Sequence, residues 1–315
     1  MTSAARVTRA SPANALTPVL ALLVNAFVWG VSWWPFRRLQ AMGLHPLWTT
    51  AIVYLLSVFV IGLWRRRAWR QLATKPALWL IFLASGTTNA AFNWAVSIGD
   101  VVRVVLLFYL MPLWALLLAR IVLKERMTRG AILRVLLAMA GAMLVLWHPA
   151  EPANGAAAHA LEGFSLPEAL ALIGGFAFAL NNVMLKRAAA EPEEGRALAM
   201  FLGGATVAGT VAAFLSSGPH GSAVGVAWPA LSMAWPIPAA GLAVAFLLSN
   251  LCLQYGAARL SATVTAVVMP AEVLFASLTA VWWGGATLHA SVLAGGALIL
   301  SATFAGIMGH REGAG

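Results

Sequence analysis

Apolar runs of about 20 residues, separated by short polar turns, recur along the whole chain. This repetition constrains the fold more than any single motif. A helix needs about 20 apolar residues to cross the hydrocarbon of a bilayer. Ten segments meet that requirement, near 17–36, 46–64, 77–97, 100–123, 130–147, 167–187, 197–215, 237–257, 261–283 and 288–308. Of the 315 residues 61% are hydrophobic and 10% charged, against about 25% charged in soluble domains. Backbone in lipid must satisfy its own hydrogen bonds, which leaves helices or a closed barrel. The alternating pattern of barrel strands is absent. The expected fold class is therefore an all-α polytopic membrane protein with ten transmembrane helices.

The formal net charge of +10 does not point to nucleic acid, because the bases sit in short loops where topology explains them. With the N-terminus cytoplasmic, one side collects Arg6, Arg9, Arg65, Arg66, Arg67, Arg70, Lys75, Lys124, Arg126, Arg129, Lys186, Arg187, Arg196, Arg259 and Arg311. The other side has Arg37 and Arg38, and the long stretches 148–166 and 216–236 on it lack Lys and Arg. This bias predicts that both termini are cytoplasmic. The first apolar run follows Arg6 and Arg9 without a small-residue cleavage pattern, so it reads as a span rather than a leader. The single cysteine, Cys252, allows no intrachain disulfide and gives no metal-ligand spacing.

The chain also aligns with itself. Phe27-Val-Trp29-Gly-Val-Ser-Trp33-Trp-Pro-Phe-Arg37-Arg38 matches Phe176-Ala-Phe178-Ala-Leu-Asn-Asn182-Val-Met-Leu-Lys186-Arg187 without gaps. Met111-Pro112 falls on Met269-Pro270, and Ala140-Gly141-Ala142 on Gly295-Gly296-Ala297. The halves are 17–149 and 164–309. Five spans in each is an odd number, so the second half is expected upside down relative to the first. Inverted repeats of this kind place a substrate site near the midplane between them.

These residues resemble the EamA type of the drug/metabolite transporter superfamily. There, the first span of a repeat carries Trp-Gly with a basic residue eight positions after the Trp. Trp29-Gly30 and Arg37 match, and the second repeat has Phe178-Ala179 and Lys186. The fourth span carries Pro with Glu thirteen residues later. Pro112 and Glu125 match, but Trp283 follows Pro270 at that spacing. The resemblance spans about residues 17–309. It implies ten helices in two five-helix repeats and export of amino acids, drugs or metabolites.

Glu272 is the one charge in the run Leu260–Trp283. A carboxylate in mid-bilayer costs roughly 2.5–3.5 kcal/mol on insertion scales, so it is expected to face water, a partner or a substrate. At 1.5 Å per residue it lies about 16 Å from either surface. It suits a coupling proton or a substrate amine; the alternative is a helix-locking ion pair or hydrogen bond. Arg103, near the outer end of the fourth span, suits a carboxylate or phosphate, or snorkels to water or pairs with Asp100. Together Arg103 and Glu272 can grip a zwitterion, or each other.

Asn89 and Asn93 share a face of span three, and Asn250 and Gln254 repeat that spacing on span eight. They suggest a polar cavity between the halves, or interhelical hydrogen bonds. Trp29, Tyr109 and Trp114 are candidates for stacking on an apolar or cationic substrate, or simply pack. Pro112 and Pro270 free backbone carbonyls and kink their helices, as gating hinges or static bends. Ser165-Leu-Pro167-Glu168 reads as a capping box, and Glu125, between Lys124 and Arg126, as a surface turn. Arg37 and Arg38 break the charge rule and suit an outer mouth or lipid headgroups.

The histidines all lie in loops or at span ends, and no nucleophile–base set, nucleotide motif, metal site or cofactor site is evident. The expected function is secondary transport. It would export small amphipathic metabolites, amino acids or related amines, across a bacterial inner membrane by alternating access, with protons as candidate coupling ion. The partners are a small-molecule substrate, the lipid bilayer and no nucleic acid; monomer and homodimer both stay open. A lipid-modifying membrane enzyme and a non-transporting scaffold are the other readings.

Overall fold

The computed structural model describes residues 16–98, 101–125, 127–146, 165–218, 226–230, 234–284 and 290–312. Those residues are helical with turns, and contain no strand. In the first half the helices are α1 (Leu16–Val31), α2 (Trp33–Ala41), α3 (Pro46–Trp64), α4 (Arg67–Thr74), α5 (Pro76–Ile98), α6 (Val101–Phe108), α7 (Met111–Val122) and α8 (Arg129–Leu146). In the second they are α9 (Leu166–Arg187), α10 (Glu193–Ser217), α11 (Pro236–Arg259), α12 (Ala262–Val268), α13 (Ala271–Gly284) and α14 (Ala290–Glu312). Six stretches are long and apolar enough to cross a membrane: 16–41, 46–64, 166–187, 193–217, 236–259 and 262–283. The molecule is a multi-pass membrane protein.

Its helices are inside out relative to a soluble bundle. On α3, Leu55, Phe59 and Leu63 recur every fourth residue and are exposed, while Tyr54, Ser57, Val58 and Ile61 are buried. Apolar surface gains little by leaving lipid, so small residues and close van der Waals packing hold such helices together. Gly204 of α10 shows the packing. The ring of Tyr54 lies where a Cβ at Gly204 would be, so this glycine sets how deep the tyrosine sits.

The closest packing runs between the halves. α5 lies against α9 and α10, α1 against α11 and α13, and α8 against α14. Hydrogen bonds reinforce it: Asn25 Nδ2 donates to the Ser249 carbonyl at 3.1 Å and to Ser249 Oγ at 2.7 Å. Two helical lines are broken, α6 from α7 at Tyr109–Leu110 and α12 from α13 at Met269–Pro270. Both breaks sit at or just before a proline, which has no N–H to bond the carbonyl a turn back.

Three local features sharpen or correct the sequence reading. The basic loop after α3 contains the short helix α4. Glu168 closes the capping box at the start of α9, accepting from the Ser165 N–H at 2.7 Å. Glu125 lies on the turn after α7, but its carboxylate is directed inward. Lys124 takes φ = +57°, a left-handed conformation uncommon outside glycine. The chain then turns back, and Glu125 Oε1 accepts from the Ala262 N–H at 3.4 Å. The Ala262 amide is a free donor at the start of α12, which is why an acid is drawn there.

Candidate functional site

Glu272 stands in the first turn of α13 because Pro270 ends the preceding helical line. Its N–H bonds the Met269 carbonyl at 3.0 Å, and its carboxylate lies at the positive end of a new helix dipole. The Tyr109 hydroxyl donates to Glu272 Oε1. Tyr109 itself lies in the break between α6 and α7, so one hydrogen bond joins the two interrupted helical lines where each is interrupted.

The carboxylate lines a narrow cavity between the halves. Its lining includes the rings of Trp29 of α1, Phe92 of α5, Phe108 of α6 and Phe178 of α9. Phe92 and Phe178 pack on Phe108 at ring separations of 4.6 and 5.8 Å. The cavity also has polar lining. Asn89 and Asn250 line it with Ser85, Thr88 and Asn181. Asn89 and Asn250 bond alike: each donates Nδ2 to the carbonyl four residues back, Ser85 at 2.8 Å and Phe246 at 2.9 Å. Asn89 Oδ1 also accepts from the Tyr54 hydroxyl at 3.0 Å. Among the residues that line the cavity, Glu272 alone bears a charge. Aromatic rings and hydrogen-bonding amides around one carboxylate suit a small amphipathic molecule with a cationic or donor group.

Several other described candidates do not line the cavity. Asn93 points to α3, its Nδ2 donating to Thr50 Oγ1. Gln254 is buried beyond the cavity lining. Trp114 packs edge-on against Phe176 at 5.8 Å. Arg103 is in α6, but its side chain lies outside the described residues, as does Asp100. Pro112 is at the start of α7 and Pro270 just before α13. Arg37 and Arg38 are exposed and lie over the rings of Trp33 and Trp34 at 5.8 and 5.3 Å. Tyr54 was not among the candidates, although a hydroxyl inside an apolar run was a signal for it. Ser85, one turn before Asn89 on the same face, and Thr88, next to Asn89 in the chain, were another.

At the far ends of α7 and α9 a second polar group gathers. The Lys186 Nζ donates to the Ala258 carbonyl at 3.2 Å, and its charge acts on Glu125. Burial pushes the Glu125 carboxyl above its ordinary value, against the opposing pull of the Ala262 N–H and the Lys186 ammonium.

Residues 16–147 match the sequence profile of the EamA-like transporter family. Over that stretch the chain is similar to EamA-like transporters. It is 27% identical over 184 residues to Protein RarD of Salmonella typhi and of Salmonella typhimurium, covering 56% of this chain and 58% of each relative. The chain thus spans about 58% of the length of the curated relatives it matches. A solved crystal structure superposes over 96% of this chain and 100% of its own, with a TM-score of 0.72 and 18% identity. At that identity the likeness speaks for the fold.

The EamA-like motif residues have visible work in the structure. Trp29 lines the cavity, and Gly30 beside it lets α1 close onto α13. A Cβ at Gly30 would lie 2.5 Å from the Glu272 carbonyl oxygen and 2.8 Å from Phe275 Cβ. The motif in the first half therefore packs on the backbone that carries the acid in the second. Pro112 and Glu125 bracket α7, one at the break and one at the docking turn.

Proposed function

We propose that this protein is a secondary transporter that exports small amphipathic metabolites, amino acids or related amines, across a bacterial inner membrane. In this reading ten spans form two inverted five-helix repeats, 17–149 and 164–309, with both termini in the cytoplasm. The cavity is the cargo site: Trp29 gives the apolar contact, Asn89 and Asn250 the hydrogen bonds, and Glu272 holds the amine or the coupling proton.

The observation that carries this reading is a cavity between the halves whose charged wall is one carboxylate. That carboxylate sits at a helix break and is tied by Tyr109 to the break in the other half. Cargo or a proton arriving at Glu272 competes for the Tyr109 hydroxyl. Occupancy is thereby coupled to the relative angle of four helix segments, which alternating access requires. Pro112 and Pro270 serve as the hinges.

The test is uptake of amino acids and amines into everted vesicles, with and without a proton gradient. The wild type accumulates cargo in a gradient-dependent, saturable manner, and Glu272→Gln does not. Unchanged transport by Glu272→Gln removes the acid from the mechanism. A thermal-shift screen of the purified protein against metabolites identifies the cargo, since ligand binding raises apparent stability.

A further inference from the structure

Below the cavity three helices share a pattern. α9 and α11 run in the same direction and touch. They are tied near their C-terminal ends by the bond from Lys186 to the Ala258 carbonyl. Two turns back on each, Phe178 and Asn250 line the cavity. One turn back, between these anchors, stand Asn182 and Gln254. α12 has the same anchors, with Ala262 bonded to Glu125 at one end and Met269, just past the other, on the cavity wall. Thr265 lies between.

Each of the three intermediate residues is almost wholly buried, at 2%, 1% and 0% exposure for Asn182, Gln254 and Thr265. Each carries polar atoms without a hydrogen-bond partner among the described residues: Asn182 Oδ1, both Oε1 and Nε2 of Gln254, and Thr265 Oγ1. Buried polar atoms are nearly always paired, because an unpaired one gives up its bonds to water for nothing. Three such residues, between a polar cavity and the helix ends where Lys186 and Glu125 bond the Ala258 carbonyl and the Ala262 N–H, are poor packing for a permanent wall. They are good lining for a surface that is wetted in another state.

We infer that Asn182, Gln254 and Thr265 line a polar passage from the cavity to the end of the bundle where Lys186 and Glu125 bond the backbone of Ala258 and Ala262, and that these two side chains together close it. Water and a small polar cargo pass there when α12 moves away from α9 and α11, and the three side chains then find their partners. The inference rests on the cavity being the cargo site and adds the route that cargo takes from it.

Its test is single-cysteine labelling in lipid nanodiscs, in a Cys252→Ala background, with a membrane-impermeant methanethiosulfonate ethylammonium reagent. Asn182→Cys, Gln254→Cys and Thr265→Cys are compared with Val183→Cys, which neighbours Asn182 but sits in the apolar core. Thr265→Cys is nearly isosteric and gives a reading even where the other two disturb packing. The passage predicts labelling of Thr265→Cys at least about ten-fold faster than of Val183→Cys, the contrast between a water-reached and a sealed thiol. Adding Glu125→Gln with Lys186→Met raises that rate further. Equal rates at 265 and 183 in both backgrounds overturn the passage. A fast rate that the double substitution leaves unchanged overturns the closing role of the pair. No cargo is needed, so the result stands apart from the transport assay: labelling at 265 alongside full transport by Glu272→Gln removes the acid and keeps the route.

Discussion

Two places that align in sequence, Gly30 with Glu272 and Ala179 with Trp114, have been built to different ends. In the first, a helix without a Cβ lies directly on the backbone of the acid, and Trp29 beside it faces the cavity. In the second, Ala179 packs in an apolar cluster with Ala115 and Ala266, and with Trp114 at its edge. Both are tight contacts between a helix that starts one half and a broken helix of the other. One is polar and opens on the cavity, while the other is dry. The difference teaches that two stretches alike in sequence can carry their chemistry once, leaving the other as apolar packing.

The largest expected effect breaks that contrast outright. Glu272→Gln lowers gradient-driven uptake by more than about ten-fold, the factor given by about 1.4 kcal/mol of lost interaction, while Trp114→Phe stays within two-fold of wild type by the same scale. Similar losses in both would make the halves equivalent. Next is packing. Gly30→Ala forces a methyl against the Glu272 carbonyl and costs about 1–3 kcal/mol. Ala179→Gly costs about 1 kcal/mol, so thermal unfolding falls further for the first. Tyr109→Phe follows. It removes one hydrogen bond of about 1 kcal/mol, a roughly five-fold change in transport, and it displaces the pH profile while Glu272 remains.

The smallest effect concerns the helix caps. His45 caps α3, its Nδ1 accepting from the Leu47 N–H at 3.2 Å, and burial lowers its pKa to about 4. A depressed base means that the folded state favours the neutral ring. Its contribution is full above the ordinary value of 6.5 and is lost as pH falls toward about 4. Thermal stability measured across that window declines in the wild type, and declines less in His45→Asn, which caps without titrating.

The fold was legible because hydropathy is a local property. Each run declares its helix, and Pro112 and Pro270 declare where two of them break. Glu272 was legible for the same reason, as one charge among apolar neighbours. The asparagine pairs were half legible. Spacing of four put Asn89 with Asn93 and Asn250 with Gln254, yet only packing decides that the first of each reaches the cavity. Tyr54 and Glu125 were hidden, because their meaning comes from partners on other helices. Glu125 answers to an amide 137 residues away, and no turn propensity reports that.

The fit of Gly30 on α13 has a consequence for heredity. A lesion at Gly30 is not repaired within its own half, because the space it lacks is occupied by Phe275 and the backbone of Glu272. Compensating changes belong at Phe275, 245 positions downstream. The two halves therefore cannot drift independently, and a first half transplanted from a distant relative inherits its neighbour's constraint at that one contact.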